Sequence, residues 1–161
     1  DRRTYSKVEG NRMGIDLNKL KAELEVDEGC VYEIYKDHLG YPTFGIGHLV
    51  TAVDPEFELQ TGTTVSIDRV TEAFEQDIKT TLDDCTGVFL NFDKLPQEAQ
   101  RIIANMMFNL GRTRFCKFKN MIEAINKNQW QKAAQEMKNS LWYRQVTNRA
   151  ERLIKRMEQI T

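Results

Sequence analysis

From Ser66 onward the sequence repeats apolar residues at helical spacing, and only Pro96 interrupts that stretch among the prolines. Residues suited to strands and tight turns are confined to a short segment before it, roughly 31–50. This segregation is the strongest constraint on the fold. Too few strands are available for a parallel sheet with alternating helices, so the pattern predicts an α+β chain. At 161 residues the chain is long enough to bury a substantial core without disulfides or metal.

The helical stretch divides at its own punctuation. Ser66 precedes a run in which Val70, Phe74, Asp77 and Ile78 recur on one face, which predicts a capped helix over 66–82. Pro96 opens a second helix carrying Ala99, Ile102, Ile103, Met106, Met107 and Leu110, with Gly111 as its stop. This is the most apolar run in the chain, so it is expected at the centre of a core. Shorter helices are expected over 118–125, 129–138, 140–145 and 147–159.

The first part reads differently. Residues 1–14 are polar and aperiodic and start without Met, as expected of an arm or linker from a longer chain, or of a processing product. Asp16 can then cap a short helix whose apolar positions are Leu17, Leu20 and Leu24, with Ile15 packing back on Leu20 and Gly29 as the stop. Val31 to Tyr35 is rich in β-formers, residues 36–40 carry turn chemistry, and 41–48 reads as the returning strand with Pro42 at its start. Residues 51–64, with Pro55 and Gly62, read as a loop with room for one more short strand.

Charge adds a second asymmetry. Residues 1–80 hold 16 acidic against 9 basic side chains, and residues 81–161 hold 8 against 14, so a near-neutral total hides an acidic first half and a basic second half. A basic half suits an anionic polymer, but its lysines and arginines are scattered at helical spacing with no continuous basic run, which argues against a nucleic-acid module. No apolar run approaches the roughly 20 residues of a membrane span. Cys30, Cys85 and Cys116 show neither paired spacing nor an even count, so they are expected as small, mostly buried apolar residues, with no metal site.

Hydrolysis of a glycosidic bond needs two carboxylates flanking the bond, one protonated and one ionised. Glu28 closes the first helix and Asp37 sits on the hairpin turn, while Thr43 on the returning strand carries a hydroxyl able to hold a water. In a chain of 24 carboxylates, such a pair is ordinary by itself. Its setting is not. Asp27-Glu28-Gly29, Ile34-Tyr35-Lys36-Asp37 and Gly40-Tyr41-Pro42-Thr43-Phe44-Gly45-Ile46-Gly47-His48-Leu49 together resemble the active-site signature of the T4-type phage lysozymes. Further matches follow in order at Phe74-Glu75-Gln76-Asp77, residues 104–111, Trp130 with Ala133-Ala134, residues 140–145 and residues 148–152. The resemblance spans about residues 18–161.

The resemblance implies a lysozyme-like fold over 15–161: a small N-terminal β-hairpin lobe (about 18–65) joined by helix 66–82 to a mostly helical C-terminal lobe (82–161). It implies an endo-acting muramidase, cutting the β-1,4 bond between N-acetylmuramic acid and N-acetylglucosamine of bacterial peptidoglycan, without metal or organic cofactor. Glu28 would be the general acid, Asp37 and Thr43 would place an attacking water for an inverting displacement, and Leu49 and Phe108 would line the saccharide cleft. His48 is implied as an ion-pair partner of Asp77, and Arg149 is expected as a buried guanidinium orienting Glu28. Trp142 is expected in the core.

Two departures bear on the setting. The segment 48–66 is shorter than in lysis-type relatives, so a small extra helix there is expected to reduce to loop. Met121 and Glu136 fall where relatives contact saccharide but differ in type, so those roles are not carried over. The weak overall charge and the polar arm make the tail-associated, baseplate-type lysozymes the better resemblance. The expected partners are peptidoglycan and other phage tail or baseplate domains of a longer parent chain, with no nucleic acid and no membrane insertion. The expected location is the virion, acting on the host wall in the periplasm. A lysis-type phage endolysin and an inactive peptidoglycan-binding domain are the alternatives.

Overall fold

The computed structural model describes residues 14–161. The arm expected over 1–14 lies, but for Gly14, outside them. The element order is α1 (Leu17–Glu28), β1 (Val31–Lys36), β2 (Pro42–Gly45), β3 (His48–Leu49), a 3₁₀ turn (Pro55–Glu58), α2 (Ile67–Val88), a 3₁₀ turn (Phe92–Lys94), α3 (Gln97–Phe115), α4 (Lys119–Asn126), α5 (Trp130–Lys138), α6 (Leu141–Gln145) and α7 (Thr147–Glu158). This is an α+β fold with one small antiparallel sheet, ordered β1-β2-β3. The chain forms two compact units, one of residues 21–80 and one of residues up to 20 together with 81–161. Among the described residues, no helix is long and apolar enough to cross a membrane.

The helix starts follow the capping chemistry. The Asp16 carboxylate accepts from the Lys19 N–H at 3.1 Å, and the Ser66 hydroxyl accepts from the Arg69 N–H at 3.1 Å. Ile15 and Leu20 are both fully buried, as a hydrophobic staple requires. Helix α2 runs to Val88, longer than the 66–82 span expected.

In the unit of residues 81–161, α3 supplies the centre. Ala99, Ile102, Ile103, Ala104, Met106 and Met107 are all essentially inaccessible. Gly111 ends the regular run of α3, as expected. With φ 75° and ψ 163° it breaks the helix locally, and one further turn runs on to Phe115. Phe115 lies edge-on to Phe89, with ring centroids 6.1 Å apart. Helix α5 packs on α4 and α7. Trp142 is in the core as expected, its indole N–H donating to Asn109 at 2.7 Å. The cysteine expectation needs correcting: all three are free, but only Cys85 is buried, and Cys30 is exposed because it falls in the open turn after α1.

In the unit of residues 21–80, the returning strand expected over 41–48 is two strands. Gly45 (φ 64°) and Gly47 (φ 63°) bend the chain after Phe44, and His48–Leu49 folds back on β2. At Gly45, a β-carbon would stand 3.0 Å from the Val70 side chain, so any side chain there would crowd α2. The segment after the 3₁₀ turn also joins the sheet. Ile34 donates its N–H to the Thr63 carbonyl and Val65 donates to Tyr32, with a bridge between Glu33 and Thr64. The small helix expected to be lost is reduced to the single turn Pro55–Glu58.

One charged network ties this unit together. His48 uses both ring nitrogens, Nδ1 to Asp77 at 2.7 Å and Nε2 to Asp54 at 2.9 Å. Asp54 also accepts from the Thr51 N–H at 2.8 Å and from Arg69 at 3.1 Å. Arg69 further grips Glu56 and Glu72, and its guanidinium lies 5.4 Å above the Phe44 ring. Burial alone would push the His48 imidazole down. Its hydrogen bonds to Asp77 and Asp54, and their charges, outweigh burial and hold it above its ordinary value. Burial would likewise raise Asp54, but the Thr51 N–H, His48 and Arg69 hold it below the usual carboxylate range.

The raised His48 contributes stability that is fully present below about pH 6.5. That contribution is lost as pH rises through its higher folded-state value. The depressed Asp54 contributes above its ordinary value of 3.8, and that part is lost as pH falls through its lower folded-state value. Replacing His48 by Asn should therefore cost about 2 kcal/mol near pH 5.5. Urea melts should show the penalty shrinking toward pH 9 and toward pH 3.

Candidate active site

Asp37 begins a tight turn closed by the Gly40 N–H donating to the Asp37 carbonyl at 2.9 Å, with Gly40 at φ 86°. Aspartate at the first position and a left-handed glycine at the last suit this turn. The Asp37 side chain then reaches back over its own loop. Its Oδ1 accepts from the Leu39 N–H at 2.9 Å and from the Tyr41 N–H at 2.9 Å. One oxygen is thus committed to holding the turn, while Oδ2 has no partner among the described residues.

Thr43 is buried, and its hydroxyl donates to the Tyr41 carbonyl at 3.0 Å. Its proton is therefore directed into the backbone, and its oxygen is left able to accept. A single residue, Tyr41, receives from Thr43 at its carbonyl and donates to Asp37 at its N–H. The two side chains are held in one frame by two adjoining peptide groups. Pro42 follows Tyr41 and favours the extended backbone there.

Glu28 closes α1 and is half-buried. Its carboxyl lies on the bare α-carbon of Gly47: a β-carbon there would stand 2.6 Å from Oε2 and 2.9 Å from Cδ. Leu49 is directly opposed to Thr43 across the β2–β3 ladder and is 49% exposed. Directly opposed residues in an antiparallel pair share a face, so Leu49 offers an apolar surface beside the Thr43 hydroxyl.

Glu28, Asp37, Thr43 and Leu49 therefore all belong to the unit of residues 21–80. Phe108 and Arg149 belong to the other. Phe108 is half-buried on α3. Arg149 is 8% exposed and donates from Nε to the Asn105 side chain at 2.8 Å and from Nη2 to the Asn105 carbonyl at 3.3 Å, so a fully buried amide and a buried guanidinium satisfy one another.

The unit of residues 81–161 also holds a cleft of about 500 Å3. Met121 and Glu136, to which no saccharide role was carried over from the resemblance, both line it. Phe118 and Trp142 give it an aromatic wall, and Arg114, Lys117 and Lys119 give it a cationic rim. Those cations were invisible as a group in the sequence, because the loop after α3 brings them to one opening.

Chemically, Asp37 keeps an uncommitted carboxylate oxygen and Thr43 a hydroxyl oxygen able to accept, the pair of acceptors that a bound water molecule needs. Glu28, a second carboxylate, approaches the same sheet at the β2–β3 turn.

A family model described as phage lysozyme matches residues 25–159. Probable T4-type lysozyme 1 of Dictyostelium discoideum is 32% identical over 164 residues, covering 88% of this chain and 95% of that protein. The pre-baseplate central spike protein Gp5 of Enterobacteria phage T4 is 29% identical over 148 residues, covering 81% of this chain but 26% of Gp5. Peptidoglycan hydrolase gp36 of Pseudomonas phage phiKMV is 32% identical over 157 residues, covering 92% of this chain and 16% of that protein.

The Gly47 contact yields a prediction. Replacing Gly47 by Ala puts a β-carbon at a left-handed position, costing about 1 kcal/mol, and the Glu28 carboxyl, the flexible end of its side chain, must turn aside. A crystal structure of the variant should show Glu28 displaced with the sheet intact, and a thermal melt should fall by only a few degrees.

Proposed function

This chain belongs to the phage lysozyme family, and from that premise we propose that it is an endo-acting muramidase that hydrolyses the β-1,4 bond between N-acetylmuramic acid and N-acetylglucosamine in bacterial peptidoglycan. The observation that carries the reading is the shared Tyr41 frame, which leaves Asp37 Oδ2 and the Thr43 lone pairs as paired acceptors. A water donating one hydrogen to each has a lone pair left for the anomeric carbon. Glu28 is the general acid that protonates the departing oxygen. Asp37 takes the proton the water loses as it attacks. The displacement inverts the anomeric centre, because the water enters from the face opposite the leaving group.

Leu49 contacts the saccharide through its exposed apolar surface. The role given to Phe108, as a saccharide contact, rests on the family resemblance, and the role given to Arg149, in orienting Glu28, on its being a buried guanidinium. The name of one phage relative, the peptidoglycan hydrolase gp36, supports peptidoglycan as the substrate class. Gp5 also supports delivery as part of a longer tail chain, since this chain spans only 26% of it; the action on the host wall in the periplasm belongs to the same proposal. Mass spectrometry of purified virions should then find these residues within a larger tail polypeptide. Their presence only in lysates, as a free domain, would point to a lysis-type endolysin instead.

Purified peptidoglycan should lose turbidity with the parent chain. Glu28→Gln and Asp37→Asn should each slow that loss by about 10²- to 10⁴-fold with unfolding midpoints unchanged. No loss by the folded parent would favour a domain that binds the wall without cutting it. Proton NMR of the first product formed from a β-linked substrate should show the α-anomer; a β-anomer would replace inversion by a covalent intermediate.

A further inference from the structure

Beyond Glu28, Asp37, Thr43 and Leu49, the sheet face of this site carries a side chain with no role so far. We propose that Tyr35 is a substrate-contacting residue, whose phenolic hydroxyl donates a hydrogen bond to an acceptor oxygen of the amino sugar seated over Thr43. The proposal rests on the muramidase reading and extends it to a specific contact.

The register places it. Tyr35 is directly opposed to Thr43 across the β1–β2 ladder, as Leu49 is across the β2–β3 ladder. Residues so opposed project from the same face with β-carbons about 5 Å apart. Tyr35, Thr43 and Leu49 therefore form a row across all three strands, with the buried hydroxyl in the middle. The neighbouring pair, Asp37 and Tyr41, keeps the same register through the Asp37 N–H to Tyr41 carbonyl bond at 2.9 Å. Asp37, two residues beyond Tyr35, thus stands on the same side.

The hydroxyl is available. Tyr35 is half-buried, yet its hydroxyl makes no hydrogen bond among the described residues. Half-buried phenols ordinarily find a partner, as Tyr143 does at Glu151. Nothing in the described fold claims the Tyr35 hydroxyl.

Its chemistry is also what the face lacks. Asp37 Oδ2 and Thr43 are acceptors toward the substrate side, because the Thr43 proton is spent on the Tyr41 carbonyl. The acetamido carbonyl and ring oxygens of an N-acetylhexosamine are acceptors too, so they need a donor. Burial raises the Tyr35 phenol above its ordinary value, and the charges of Glu28 and Asp37 raise it further. It stays protonated, and a donor, at every pH where the site can work.

The test uses Tyr35→Phe, which keeps the ring and removes only the hydroxyl, alone and combined with Glu28→Gln. The unfolding midpoint should not move, since the hydroxyl bonds nothing in the fold. The rate of peptidoglycan clearing at low substrate should fall roughly tenfold, and the Kd for tri-N-acetylchitotriose, measured by calorimetry on Glu28→Gln with and without Tyr35→Phe, should rise roughly 5- to 10-fold, the loss of one neutral hydrogen bond. Clearing by the parent, none by Glu28→Gln, and an unchanged rate and Kd on removing the hydroxyl would overturn the role of Tyr35 and leave the muramidase reading standing. A parent that does not clear, or a Glu28→Gln variant that does, overturns both.

Discussion

Two residues without side chains, Gly45 at the end of β2 and Gly47 in the turn before β3, set how closely the sheet is packed, and the candidate site depends on that constraint. Gly45 lets the sheet lie directly on Val70 of α2, and Gly47 lets the Glu28 carboxyl lie directly on the backbone. Both have positive φ, which an L side chain adopts only at a cost. Phe44, immediately before Gly45, fills the core on one face, and Thr43, one residue earlier, faces the other. Alternation along a strand of only four residues thus separates packing from chemistry.

A sheet this small buries too little to hold its own shape. The charged network substitutes for missing apolar area. His48 lies between two carboxylates, and Arg69 ties the loop after β3 to the first turns of α2. Because its members satisfy one another in a partly buried setting, they act as a unit with a direction and a pH dependence that apolar packing lacks. Phe44 lies against both side chains, with the His48 ring 4.8 Å and the Arg69 guanidinium 5.4 Å away. The hydrophobic and charged parts of this unit therefore meet at one aromatic ring.

Most helices were legible because their signals are local. Asp16 and Ser66 cap where their side chains can reach the third N–H, and the apolar run of α3 repeats at a spacing no strand would use. The misreadings share a cause as well. Residues 41–48 look like one strand because Thr43, Phe44 and Ile46 are all β-formers, and nothing local says that Gly45 and Gly47 turn the chain. Gly111 does break the helix where the sequence puts its stop, but nothing local announces the further turn that runs on to Phe115. Cys30 looks apolar by type, but burial belongs to a place in the fold.

The candidate site divides the same way. The sequence alone determined which residue types stand at which spacing: a glutamate closing a helix, an aspartate opening a turn and a threonine on the returning strand, within an ordered series of family motifs. These are matters of covalent order and short-range hydrogen bonding. Only the tertiary structure decided which atoms of these side chains are committed, tying Asp37 Oδ1 to the backbone and leaving Oδ2, and sending the Thr43 proton to Tyr41. It also decided that Tyr35 and Leu49 flank Thr43, since pairing register arises between strands. A one-residue slip would turn every one of these side chains to the opposite face, and only the packing of that face against the rest of its unit forbids the slip.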